Sequence, residues 1–195
     1  NIHHLFKTRG VPGTHDTKFL LKIFKNLKNK KFRKLVIPQF DKSEDDRKIK
    51  KMWKKVKKRP HIIIFEGWCV GATHQTSEKL NKPINLLEKK YDKKLTWRKK
   101  VNTELKYKYK KIFNLIDKFI FLKVPNFKLV IKWRQLQETK LKLLSKGKKI
   151  MTKNEINNFI MYYERITKHM LKVSSLKANI LINLDKKHRL SSIKF

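Results

Sequence analysis

The sequence predicts an α/β fold, a parallel sheet with helices on both faces, and three observations lead there. The run Ile62-Ile63-Ile64-Phe65, bounded by Pro60 and Gly67 and rich in β-branched side chains, has the pattern of a strand buried on both faces. Two more short apolar runs follow, Phe119 to Leu122 and Ala178 to Leu184, and the segments between the runs carry apolar residues at helical spacing. Strands separated by helices of that length require right-handed crossovers, and therefore parallel pairing. At 195 residues the chain reads as one domain, 1–195, with room for a proper core.

Each element has its own signal. Residues 1–14 read as a loop punctuated by Gly10, Pro12 and Gly13. A helix follows, capped by Thr14 or Asp16, with Phe19, Leu20, Ile23, Phe24 and Leu27 on one face as far as Asn29. Leu35-Val36-Ile37 forms a short strand closed by Pro38, residues 40–47 a polar loop, and Lys48 to Lys57 a helix with Met52, Trp53 and Val56 on its apolar side. After the Ile62 strand, residues 67–82 hold Gly67, Gly71, Thr73, His74, Thr76 and Ser77 with little apolar periodicity, the pattern of a functional loop. Ile84 to Tyr91 and Trp97 to Leu115 read as helices, and Phe119 to Leu122 as a buried strand ended by Pro125. The helix from Phe127 to Ser145 stops before Gly147, and Thr152-Lys153-Asn154-Glu155 is a capping box for a helix reaching Lys172. There is no internal repeat.

Composition narrows the function. The net charge is +37, from 52 Lys and Arg against 15 Asp and Glu, which in a localised patch would mark a polyanion partner. Here the lysines are spread along the whole chain, with abundant Asn and Ile, as in the product of an AT-rich coding sequence. The densest runs, Lys48 to Lys58 and Lys106 to Lys111, read as solvated helix faces, and no specific nucleic-acid partner is expected. A single cysteine, Cys69, rules out an internal disulfide and points to a reducing, cytoplasmic setting. No apolar run approaches the length of roughly 18 residues that a membrane helix needs, and no signal peptide is visible. The chain opens at Asn1 within a patterned segment, so a fragment is expected.

Two places carry chemistry. Glu66 stands at the carboxyl end of the Ile62 run, where an open α/β sheet puts its ligand crevice; an acid there suits nucleotide and magnesium chemistry, or it simply ends a strand facing solvent. Arg9-Gly10-Val11-Pro12-Gly13-Thr14-His15-Asp16 sets glycines, a fixed proline and charged groups directly before a helix N-terminus. Free backbone amides and the helix dipole make such a junction an anion site to which Arg9 adds a bidentate contact; the alternative is an ordinary loop in which Asp16 only caps the helix.

These motifs, with Pro38-Gln39-Phe40-Asp41-Lys42, Asp45-Asp46-Arg47, Phe65-Glu66-Gly67-Trp68-Cys69-Val70-Gly71 and Trp97-Arg98-Lys99-Lys100-Val101-Asn102, occur in an order and spacing that resembles the plant-type D-glycerate kinases and their microbial relatives. Pro125-Asn126-Phe127, Trp133-Arg134-Gln135-Leu136-Gln137-Glu138 and Tyr162-Tyr163-Glu164-Arg165-Ile166-Thr167 extend the resemblance over nearly the whole chain. It implies a P-loop kinase related to the uridine and pantothenate kinases, using ATP with Mg2+ to phosphorylate a hydroxyl of a small metabolite, D-glycerate first of all. By this resemblance Glu66 orders magnesium, directly or through water. Arg9, His15 and Asp16 belong to the acceptor side, and Asp41, Lys42 and Arg47 line the same crevice. Arg134 and Arg165 belong to a lid that carries positive charge to the transferring phosphoryl group, and Glu66, Asp16 and Arg134 form the catalytic set. Trp68, Trp97 and Trp133 read as packing residues, Arg98 and Asn102 serve a structural network or a ligand, and His74 and His169 read as surface histidines. The family's Gly-x-x-x-x-Gly-Lys-Ser/Thr loop is absent from these 195 residues, together with its strand. These residues alone are therefore expected to be inactive. A catalytically degenerate fold acting by binding, and a basic nucleic-acid-associated protein, are the alternatives; oligomeric state is not legible.

Overall fold

The computed structural model describes residues 3–41, 44, 46–144 and 151–195. Lys42, Asp45, Ser145 and the helix stop expected at Gly147 lie outside the described residues. The chain folds as two units, one formed by Asp16–Gly67 and the other by Asn1–His15 with Trp68–Phe195.

In the smaller unit, α1 (Thr17–Lys28) buries Ile23 and Leu27 and packs against β1 (Leu35–Ile37). A short hairpin of β2 (Phe40–Asp41) and β3 (Asp46–Arg47) follows, then one turn of 3-10 helix at Lys50–Met52 and β4 (Lys54–Val56). The expected helix over 48–57 is corrected here. Leu35, Val36 and Ile37 stand opposite Val56, Lys55 and Lys54 in an antiparallel ladder, so cross-strand pairing overrides the helix propensity of the lysines. The expectation for the Ile62 run is also corrected, since residues 62–67 belong to no helix and to none of the sheets, with Ile62 79% and Ile64 86% exposed. A strand covered on both faces needs neighbours on both edges to receive its amides and carbonyls, and no strand among the described residues supplies them. Phe65 is held edge-on by Phe24, with ring centroids 5.0 Å apart.

The larger unit opens with a 3-10 turn at His4–Lys7, where a loop was expected, and resumes at Trp68. Short helices α2 (Ser77–Asn81) and α3 (Leu86–Tyr91) lead to α4 (Thr96–Glu104), which widens into a π-helical stretch at Leu105–Tyr109 and tightens again as α5 (Lys110–Phe113). Next come β5 (Ile120–Lys123), the long helices α6 (Phe127–Leu144) and α7 (Lys153–Lys172), and a hairpin of β6 (Ile180–Leu184) and β7 (Leu190–Lys194). β5 and β6 pair in parallel, as their separation by helices requires, and β7 adds an antiparallel edge that periodicity alone did not disclose. The expected capping box is present in full: Glu155 N–H donates to Thr152 Oγ1 at 3.2 Å, and Thr152 N–H to Glu155 Oε2 at 2.8 Å. Leu5, Val11, Trp97, Tyr109, Tyr163 and Met170 are among the residues of its core. No helix among the described residues is long and apolar enough to cross a membrane.

Candidate functional site

The loop from Arg9 to His15 is the most closely tied segment of the larger unit. Gly10 and Gly13 take φ of 104° and 107°, values open to glycine and strained for other residues. Thr14 closes the loop on itself: its hydroxyl receives the Gly10 N–H at 2.9 Å and donates to Val11 O at 2.8 Å. Two tyrosines then hold it from outside. Tyr163 on α7 donates to Arg9 O at 2.9 Å, and Tyr109, at the end of the π-helical stretch, receives the Gly13 N–H at 3.2 Å and meets His15 Nδ1 at 2.6 Å. Trp68 stacks on Tyr163 with centroids 4.6 Å apart and donates from Nε1 to Thr167 Oγ1 at 2.8 Å. The expected cradle of free amides is corrected on this point, because Gly10 and Gly13 both donate within the unit; Arg9 and His15 are exposed residues at the two ends of the loop. Partial burial of the ring, helped by the nearby Arg9 charge, lowers the pKa of His15 from its ordinary value, which favours the neutral imidazole.

Arg165 is placed differently from a lid residue. Its Nε and Nη2 grip Glu88 at 2.7 and 2.6 Å, and its remaining donors reach Lys79 O and Lys82 O, each at 2.7 Å, and Gln75 Oε1 at 3.4 Å. Glu88 is fully buried and Arg98 joins the network, donating to Asp92 Oδ2 at 3.3 Å and to Leu80 O at 2.8 Å. All five guanidinium donors of Arg165 are therefore engaged inside the protein, where they fasten the segment around α2 to α7. Asn102 adds a reciprocal pair with the Gln75 backbone, at 2.7 and 3.0 Å, and His169, partly buried rather than superficial, meets Thr73 Oγ1 at 3.0 Å. Between them lies a cavity of about 20 Å³, room for one water molecule, whose wall includes Trp97; the indole N–H of that residue has no partner among the described residues. Arg134 lies on α6, paired with Glu138 one turn on, with its guanidinium 5.8 Å from the centre of the Phe159 ring.

The smaller unit holds the acidic candidates. Asp16 caps α1 by accepting from the Phe19 N–H at 3.0 Å, and its second oxygen accepts from Arg47 Nη2 at 3.2 Å, so two of the expected site residues meet directly. Asp41 lies 3.9 Å from Lys48 Nζ. Glu66 is exposed at the end of the Ile62 run. Among the described residues no group of three His, Cys, Asp or Glu side chains could enclose a metal ion. Magnesium held mainly by nucleotide phosphates and water asks for only one or two carboxylates, and an exposed Glu66 fits that demand.

Sequence reading did not find Tyr109, Tyr163, Glu88 or Asp92. The two tyrosines sit at core spacing on their helices, and nothing in spacing tells a tyrosine that fills a core from one that also holds a loop some 96 or 154 residues away in sequence. Glu88 looks like one more charge among lysines, and only its burial reveals its part.

No family model matches the chain. Among curated proteins it is 32% identical over 166 residues to an uncharacterized kinase, mug58, of Schizosaccharomyces pombe, and 27% identical over 166 residues to the chloroplastic D-glycerate 3-kinase of Arabidopsis thaliana. Both alignments take in 82% of this chain, which spans only 57% and 33% of the respective relatives. Among solved structures, D-glycerate 3-kinase from Cryptococcus neoformans superposes with a TM-score of 0.78 at 22% identity, covering 98% of this chain and 70% of that one. The YGR205w protein superposes with a TM-score of 0.74 at 27% identity, covering 98% and 68%.

Proposed function

Because this chain belongs to the family of the D-glycerate 3-kinases and their relatives, with the α/β fold of P-loop kinases, we propose that the protein transfers the γ-phosphoryl group of ATP to a hydroxyl of D-glycerate or a similar small hydroxy acid. The observation that carries the reading is the loop of Arg9 and His15, two nitrogen-bearing residues, both exposed, on a backbone fixed from within by Thr14, Tyr109 and Tyr163. A preformed loop of that kind suits an acid-bearing acceptor, since its contacts need no reordering on binding. In the reaction the acceptor hydroxyl oxygen attacks the γ-phosphorus and gives up its proton to water, the bond to the β-phosphate oxygen breaks, and ADP leaves; the protein positions both oxygens and stabilises charge on the phosphoryl group. Bound magnesium supplies part of that stabilisation, and Glu66 is the residue to hold it or its waters. Asp16, set at the helix start against Arg47, belongs with the acceptor, as do Asp41 and Lys42; Arg134 is the cation to approach the phosphoryl group. Arg165 acts by positioning, through Glu88. A single domain and a cytoplasmic setting complete the reading.

The test is phosphorylation by the full-length protein, with D-glycerate, glycerol and pantothenate compared as acceptors. D-Glycerate should give the highest kcat/KM, and Glu66→Gln should lower turnover by about 100-fold with an unchanged circular dichroism spectrum. Near-normal turnover in that variant would reduce Glu66 to the end of an irregular segment, and equal rates with glycerol would remove the acid from the substrate.

A further inference from the structure

We infer that Tyr109 locks His15 in the tautomer protonated at Nε2, so that His15 meets the substrate as a hydrogen-bond donor to its carboxylate and not as the base that takes the hydroxyl proton. The inference rests on the proposed phosphoryl transfer for the identity of the substrate, and on proton accounting for the rest.

A phenol has one proton and two lone pairs. A backbone amide can only donate, and the Gly13 N–H points at Tyr109 Oη from 3.2 Å. With a donor facing that oxygen, the phenol directs its own proton to its other hydrogen-bonding neighbour, His15 Nδ1 at 2.6 Å. Burial raises the Tyr109 pKa to about 12, so that proton stays in place throughout the physiological range. A neutral imidazole that accepts at Nδ1 carries its hydrogen at Nε2. The tilt of 65° between the two rings, centroids 5.9 Å apart, is that of an edge contact, which leaves the far side of the imidazole clear of Tyr109.

The support is rigid. Tyr109 is 5% exposed and closes the π-helical stretch Leu105–Tyr109, a local widening of the helix of the kind that recurs at functional sites. An Nε2–H offers a donor to an oxyanion and no lone pair to a hydroxyl proton. Carboxylate and phosphate share that chemistry; the loop lies on the acceptor side of the proposed reaction, so the carboxylate is assigned.

The experiment uses the full-length protein labelled with 15N-histidine, with the His15 signals identified by their loss in His15→Gln. The expected result is a protonated Nε2 and an unprotonated Nδ1 at pH 7.5, mixed tautomers in Tyr109→Phe, and a His15 shift on adding D-glycerate that neither glycerol nor ATP reproduces. In kinetics, His15→Gln should raise KM for D-glycerate about tenfold and change kcat by less than about threefold. An Nδ1–H tautomer in the wild type, an unchanged tautomer in Tyr109→Phe, a shift with ATP but not glycerate, or a collapse of kcat in His15→Gln would each overturn the inference. A protein that shows the Nε2–H tautomer and the glycerate-specific shift but phosphorylates no hydroxy acid would instead overturn the proposed reaction, leaving the assignment of His15 standing.

Discussion

Gly10 shows how much a single position decides. Its φ of 104° lies where a side chain is strained, and a Cβ there would run into Tyr163 Oη, the atom that holds Arg9 O. Tyr163 cannot swing aside, because Trp68 stacks on one part of its ring and Phe159 packs against another, 5.1 Å away. Gly10→Ala should therefore destabilise the protein by about 2–3 kcal/mol and loosen the loop, read as a drop in the urea midpoint. A midpoint equal to wild type would mean that the loop adapts and is not held by the tyrosine. The glycine was legible in the sequence as turn punctuation, and so were the charged residues beside it. What the sequence did not disclose was the fate of the amides, since the Gly10 N–H turns back to Thr14 within the loop and the Gly13 N–H meets Tyr109, 96 positions away.

Among the elements, α3, α4 and α7 are joined by ions rather than by apolar contact alone. Glu88 on α3 and Arg165 on α7 are buried together with Arg98 on α4, and a buried charge that loses its partner is costly. Glu88→Gln and Arg165→Met should each cost about 3–5 kcal/mol, while Glu88→Leu with Arg165→Met should cost clearly less than the sum, as a denaturation double-mutant cycle would show. Additive losses would mean that the two residues do not depend on each other. The helices of this region were readable from apolar spacing and from the capping box at Thr152, because those signals are local. β4 and the Ile62 run were misread for the opposite reason. Whether three or four apolar residues form a strand depends on what lies beside them, and β1 claims the lysine-rich segment while nothing among the described residues pairs with Ile62.

For the molecule as a whole, two histidines set a pH response. Burial comes first in lowering the pKa of both His15 and His169, followed by the charge of Arg9 for one and of Lys79 for the other. As pH falls through about 6.5 the unfolded chain takes up these protons before the folded one does, so stability declines with falling pH until the folded histidines also titrate. The urea midpoint should thus be lower at pH 5.5 than at pH 7.5, and His15→Asn with His169→Asn should flatten the difference; an equal decline in that variant would assign the effect to the net charge of +37. The α/β class followed from the alternation of apolar runs and helices, and the kinship from short motifs in a fixed order. The division into two units was not visible, because the Gly10-Val11-Pro12-Gly13 stretch and Gly67 beside the two crossings read as turns within one domain.

The stacking of Trp68 on Tyr163 gives the protein an optical label that it carries without modification. The two rings lie at 21° to each other, close enough for their electronic transitions to couple, and the indole N–H is fixed on Thr167. One partner of that pair is the tyrosine that holds Arg9, so any event that lifts the loop also disturbs the environment of the indole. The near-ultraviolet dichroism of that coupled pair thereby follows the loop without a dye, and replacing Trp53, Trp97 and Trp133 by Phe isolates the emission of Trp68.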